Sequence, residues 1–153
     1  MWDSAEAGAA LERSLTLINS TRTATWADDA ARCQVLFEAL NALLDFPNTR
    51  LAAYGTLAPG ESNHAVLEGV PGAWLEGTVQ GVRFMANGYP AFERRPGNGQ
   101  VPVRVLTSAA LPEHWARLDD FEGDDYRRIL VPVRLASGAV LVANLYEYIG
   151  SVA

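Results

Sequence analysis

Near residue 50 the spacing of the apolar residues changes from a helical repeat to a strand-like one, so the chain must join a helical segment to a sheet. In the first part, Leu11, Leu15 and Ile18 recur at helical spacing. Cys33, Leu36, Phe37, Leu40, Leu43 and Leu44 then form a second amphipathic face. Asp3 ahead of Glu6, and Thr25 ahead of Asp28, have the spacing of capping boxes, and the polar run Asn19 to Thr23 separates the two stretches. Pro47 and Asn48 close the second one. Residues 1–47 therefore predict a helical hairpin, packed on the main domain or paired with a second copy as a homodimer. Cys33 lies on the apolar face and reads as a buried structural thiol, not a nucleophile.

From Arg50 onward the pattern is that of strands. Strands are expected at Leu51 to Tyr54, Trp74 to Met85, Val101 to Thr107, Tyr126 to Leu135 and Val140 to Tyr148. Val101, Val103 and Val105 alternate with polar or turn-prone residues, and Ser137-Gly138 signals a hairpin between the last two strands. Gly88 to Phe92 reads as an extended loop able to wall a pocket, because Pro90 pushes Tyr89 into an extended conformation. One helix stands out in this half. Leu111, Trp115, Leu118 and Phe121 share a face, and Gly123 supplies the stop. The expected fold is α+β: a curved or barrel-like mixed β-sheet with an inserted helix over 50–153, preceded by the hairpin of 1–47.

Composition narrows the chemistry. A net charge of -6 over 153 residues argues against an extended nucleic-acid footprint. All 12 basic residues are arginine, which excludes a lysine Schiff base and a P-loop lysine. One cysteine and two histidines (His64 and His114) rule against a multi-thiolate zinc site and a histidine-rich one, so the sequence offers no cluster to hold a metal. No apolar run approaches the roughly 18 residues of a membrane span, and the acidic start Met-Trp-Asp-Ser-Ala-Glu does not resemble a signal peptide. A cytoplasmic location is the expectation.

Two stretches can carry chemistry. Glu122 would fall in the last turn of the inserted helix, four residues after Leu118 and just before Gly123. The negative end of the helix dipole and partial burial would both disfavour its ionisation, raising it toward the range of a general base. An ordinary solvated glutamate before a turn is the alternative, and the neighbouring Asp119 and Asp120 read as solvated or capping groups. Tyr54-Gly55-Thr56-Leu57 would end a strand in a turn whose backbone N–H groups can meet an anion, with Thr56 adding a hydroxyl and Asn63-His64 further polar groups. A plain turn after an edge strand is the alternative here.

Taken together, Tyr54-Gly55-Thr56-Leu57 with Pro59-Gly60 and Asn63-His64, then Gly88-Tyr89-Pro90, then Leu118-Asp119-Asp120-Phe121-Glu122-Gly123 with Tyr126 and Arg128 resemble the gamma-glutamylcyclotransferase-like family. The Thr-Leu and Asp-Phe-Glu-Gly forms look closest to gamma-glutamylamine cyclotransferases. The resemblance spans roughly residues 50 to 149 and does not reach the N-terminal helices. It implies release of 5-oxoproline from a small-molecule gamma-glutamyl compound, by attack of the glutamyl α-amine on its own γ-carbonyl. It implies Glu122 as the catalytic acid/base, in a reaction that requires no metal or organic cofactor. It implies that Tyr54, Gly55, Thr56 and Leu57 hold the glutamyl moiety, chiefly through backbone N–H groups, with Tyr126 as a further hydrogen-bonding partner. A binding module for gamma-glutamyl or similar acidic ligands, and an interaction domain driven by the N-terminal helices, are the competing expectations.

Overall fold

Val101, Val103 and Val105 bury their side chains while Pro102 and Arg104 between them face outward, and this alternation is how the main sheet curls around a core. The computed structural model describes residues 5–22, 40, 41 and 43–150. Its main sheet contains β1 (Arg50–Ala53), β2 (Ala73–Val79), β5 (Val101–Thr107), β6 (Tyr126–Leu135) and β7 (Val140–Tyr148), closed into a barrel in the order β1-β5-β2-β6-β7. The sheet is mixed, since β1 runs parallel to β7 through the Leu51–Asn144 pair while the other neighbours are antiparallel. β3 (Gly81–Ala86) and β4 (Tyr89–Arg94) form a separate two-stranded ribbon. α1 (Ala5–Arg22) and α2 (Leu111–Glu122) pack on the outside.

Three apolar layers follow from the strand period. The inward set includes Ala52, Val105, Ile129, Val131, Val133 and Leu145, joined by Phe92, which the ribbon sends into the barrel core. The outward residues Leu51, Ala53, Leu106 and Tyr146 meet Leu111, Trp115 and Leu118 of α2. Farther round, Leu130 and Val142 are covered by Leu11, Leu15 and Ile18 of α1. β7 is buried along most of its length because it has the barrel interior on one side and the helices on the other.

The expected strands at 101–107, 126–135 and 140–148 form with those bounds. Two expectations about the strands need correction. The stretch from Trp74 to Met85 is two strands, broken at Gln80. Gly88 to Phe92 is not a loop: Tyr89 to Arg94 form β4, with Pro90 opposite Met85. Proline, lacking an N–H, is tolerated because the ribbon has only two strands. The first arm of the expected hairpin is α1, packed on its own barrel. Most of the second arm, Cys33 included, lies outside the described residues. At its end Leu43 is 77% exposed, so it does not belong to the apolar face. No helix among the described residues is long and apolar enough to cross a membrane.

Buried polar groups tie these layers together. Asn19 of α1 is 6% exposed and uses both ends of its amide on one residue of β6: Nδ2 donates to the Leu130 carbonyl at 2.9 Å, and Oδ1 accepts from the Leu130 N–H at 2.8 Å. Glu147 accepts from Arg127 at 2.8 Å and from the Arg94 N–H at 2.8 Å, joining the ribbon to β6 and β7. Arg94 also reaches α1, pairing with Glu12.

Candidate active site

The position of Glu122 is set by the stripe that precedes it. Leu111, Trp115 and Leu118 fasten α2 to the outward face of β1, β5 and β7. Glu122, one turn beyond Leu118, is the last helical residue, and it is half-buried. The helix stops at Gly123, whose φ of 80° suits a residue without Cβ and whose N–H donates to the Asp119 carbonyl at 3.0 Å. Phe121 turns away from the stripe and is 46% exposed, contrary to the expected periodicity.

Opposite Glu122 runs the segment that follows β1. The Tyr54 ring packs on Phe92 with centroids 5.5 Å apart, and its hydroxyl donates to the Tyr146 carbonyl at 2.7 Å. A Cβ on Gly55 would lie 3.1 Å from the Cβ of Pro90, so glycine here permits the close approach of the ribbon. Asn63 holds Thr56 twice: its N–H donates to the Thr56 carbonyl at 2.9 Å, and its Nδ2 to the Thr56 hydroxyl oxygen at 3.0 Å. The His64 ring meets the Leu57 carbonyl at 2.9 Å. The carbonyls of this segment are thus engaged. Among the described residues, nothing accepts from the N–H groups of Gly55, Thr56 or Leu57.

These elements enclose a pocket of about 330 Å³. Tyr54, Gly55, Thr56, Leu57, Glu122 and Tyr126, far apart in sequence, all line it. Asn63, Tyr89, Pro90, Phe121 and Tyr146 line it as well. Tyr126 does not bond to Glu122; its hydroxyl donates to the Pro90 carbonyl at 3.1 Å and so pins the ribbon over the pocket. A groove of about 620 Å³ adjoins this pocket, sharing Tyr54, Gly55, Thr56 and Pro90 and edged by Arg83, Arg104, Arg134, Glu61 and Glu76.

The electrostatics single out Glu122. Burial pushes its carboxyl from 4.5 up to about 7, and the negative charge of Asp119 adds to the rise. Of the two effects expected from the sequence, burial is the one that leads. Among the described residues the carboxylate has no hydrogen-bond donor and no cation partner. Burial also raises the hydroxyls of Tyr54, Tyr126 and Tyr146, so all three stay protonated near neutrality. Asp119 is neither free nor a cap, which corrects the sequence reading: it accepts from Arg128 Nε at 2.9 Å and from the Tyr146 hydroxyl at 2.7 Å. Among the described residues no group of three His, Cys, Asp or Glu side chains could hold a metal ion.

Residues 51–152 match the family model described as gamma-glutamyl cyclotransferase, AIG2-like. The chain belongs to that family. The match takes in the barrel, α2 and every residue of the pocket, and leaves α1 outside. Among solved structures the chain is similar to an uncharacterized protein from Pyrococcus horikoshii, at 28% identity and a TM-score of 0.51 over 69% of this chain and 81% of that one. It is similar to YkqA from Bacillus subtilis at 27% identity and a TM-score of 0.54, over 65% of this chain and 35% of that one. An AIG2-like protein from Mus musculus shares the fold at 21% identity and a TM-score of 0.54, over 67% of this chain and 79% of that one. No curated protein matches the chain in sequence.

Proposed function

We propose that this family member is a cyclotransferase that cleaves a gamma-glutamyl amide, with Glu122 moving the protons. The observation that carries the reading is a half-buried carboxyl, raised to about 7 and without a protein partner among the described residues, facing unengaged N–H groups across one pocket. In the reaction the glutamyl α-amine attacks its own γ-carbonyl. A C–N bond closes the five-membered ring and the C–N bond to the leaving amine breaks, giving 5-oxoproline and a free amine. The α-ammonium must first lose a proton, and the departing nitrogen must gain one. A carboxyl near 7 exchanges protons readily with an α-ammonium of pKa about 8, so Glu122 can take the first proton and deliver it to the leaving group.

Little else is asked of the protein. A flexible gamma-glutamyl chain must be frozen with its amine over its carbonyl, an entropic task suited to a pocket of this size. The N–H groups of Gly55, Thr56 and Leu57 are the donors available to the substrate's α-carboxylate and to the oxyanion forming at the γ-carbonyl. The leaving group would extend into the adjoining groove, whose arginines and glutamates would then govern its choice. The family match supports the general activity. The test is to incubate the protein with gamma-glutamyl amino acids, gamma-glutamyl-ε-lysine, gamma-glutamylamines and glutathione and assay 5-oxoproline. Release from at least one is expected. Binding without release from any would replace the enzyme with a binding module.

A further inference from the structure

Asp119 stands one helical turn before Glu122 on α2, yet it does not line the pocket. Its carboxylate is held from two strands at once. Arg128 of β6 approaches with Nε at 2.9 Å from Oδ1 and with a terminal nitrogen at 3.3 Å from Oδ2. The Tyr146 hydroxyl of β7 donates to Oδ1 at 2.7 Å. Arg128 is itself fixed, its guanidinium lying 4.5 Å from the centre of the Trp115 ring. The Asp119 carbonyl accepts the Gly123 N–H that ends the helix. This hold ties the last turn of α2, the turn that carries Glu122, to β6 and β7.

We propose that Asp119 is a positioning residue for the reaction of Glu122, acting through the orientation and charge it lends to the last turn of α2. This rests on the reading of Glu122 as the proton-transferring group. Residues at i and i+3 share a helix face, so a fixed negative charge at Asp119 disfavours a second one at Glu122. The other groups acting on Glu122 are Tyr54 from the segment after β1, Tyr126 from β6 and Tyr146 from β7, and all three keep their protons in the working range. Asp119 is therefore the charge that varies the proton affinity of Glu122, with Arg128 behind it as a partial counterweight. Removing either should move Glu122 in opposite directions.

The test is the pH profile of kcat/KM for wild type, Asp119→Asn and Arg128→Gln, together with direct titration of the Glu122 carboxyl by carbon-13 NMR. Asp119→Asn keeps an oxygen for Tyr146 but loses the charge. Its Glu122 midpoint and the acid limb of its profile are expected to fall by roughly half a pH unit. Arg128→Gln leaves Asp119 uncompensated, and its midpoint is expected to rise. A merely structural Asp119 would lower stability or turnover with both midpoints unmoved, and that result overturns the proposal, as would shifts of the same sign. Should Asp119→Asn fail to fold, the upward shift in Arg128→Gln carries the test alone. If no gamma-glutamyl compound is turned over, the proposed activity fails, while the NMR titration still decides whether Asp119 governs Glu122.

Discussion

The Tyr54 hydroxyl donates to the Tyr146 carbonyl across 2.7 Å, so the segment that follows β1 and the strand that braces α2 are joined at one residue. The hydroxyl of that same Tyr146 reaches Asp119, one turn before Glu122. The two sides of the pocket are therefore spaced by a single residue of β7, through its carbonyl on one side and its hydroxyl on the other.

Tyr54→Phe should loosen this spacing without emptying the core, because the ring stays on Phe92. Losing the hydroxyl leaves a partly buried carbonyl without its donor, at a cost of about 1 kcal/mol. The segment's N–H groups are assigned both to the α-carboxylate, held in ground and transition states alike, and to the oxyanion of the transition state, so KM should rise and kcat should fall together. Denaturant midpoints and steady-state kinetics on the best gamma-glutamyl substrate check both parts.

Glu122 should also leave a signature in stability. Its carboxyl is raised from 4.5 to about 7, so the folded protein binds that proton more tightly than the unfolded chain. The stability this contributes is complete below about 4.5 and is lost as pH rises through about 7. Glu122→Gln cannot ionise and escapes the loss. Relative to wild type it should gain on the order of 1–3 kcal/mol between pH 5 and pH 8. Urea unfolding of both proteins at those two pH values measures it, and an unchanged difference would mean that burial does not perturb Glu122.

The amide of Asn19 fills the hydrogen-bonding positions that a further strand would offer to Leu130. Asn19→Ala would orphan a buried N–H and a buried carbonyl together, for a loss of about 2–4 kcal/mol. Asn19 does not line the pocket, so kcat per folded molecule should stay unchanged. Chemical denaturation alongside an activity assay separates the two effects.

What could be read from the sequence was local. β5, β6 and β7 carry long apolar runs with a period of two, and α2 has both a stripe and a glycine stop, so their bounds follow from residues within one element. β4 was hidden because Pro90 argues against a strand wherever both edges must pair, and only the two-stranded ribbon relieves that demand. The partners of Asp119 were hidden for another reason. Arg128 lies nine residues away and Tyr146 twenty-seven, and no spacing rule links a helix end to two neighbouring strands. Asn19 and Leu130 are separated by 111 residues, so a polar residue that looked like a break between helices proved to be a buried clasp. The tyrosine hydroxyls show the same limit: the residues around the pocket were legible, but that Tyr54 and Tyr126 bond to main-chain carbonyls was not.

The central claim is that Glu122 moves the protons in a ring-closing cleavage. The most direct test is single-turnover release of 5-oxoproline by wild type and by Glu122→Gln, using the substrate that wild type cleaves fastest. Substrate binding by the variant is measured in parallel. The account predicts that Glu122→Gln folds, binds the substrate within a few-fold of wild type, and loses at least a hundredfold in the rate of release, the scale of a missing general acid/base. Release by the folded variant at close to the wild-type rate would contradict it.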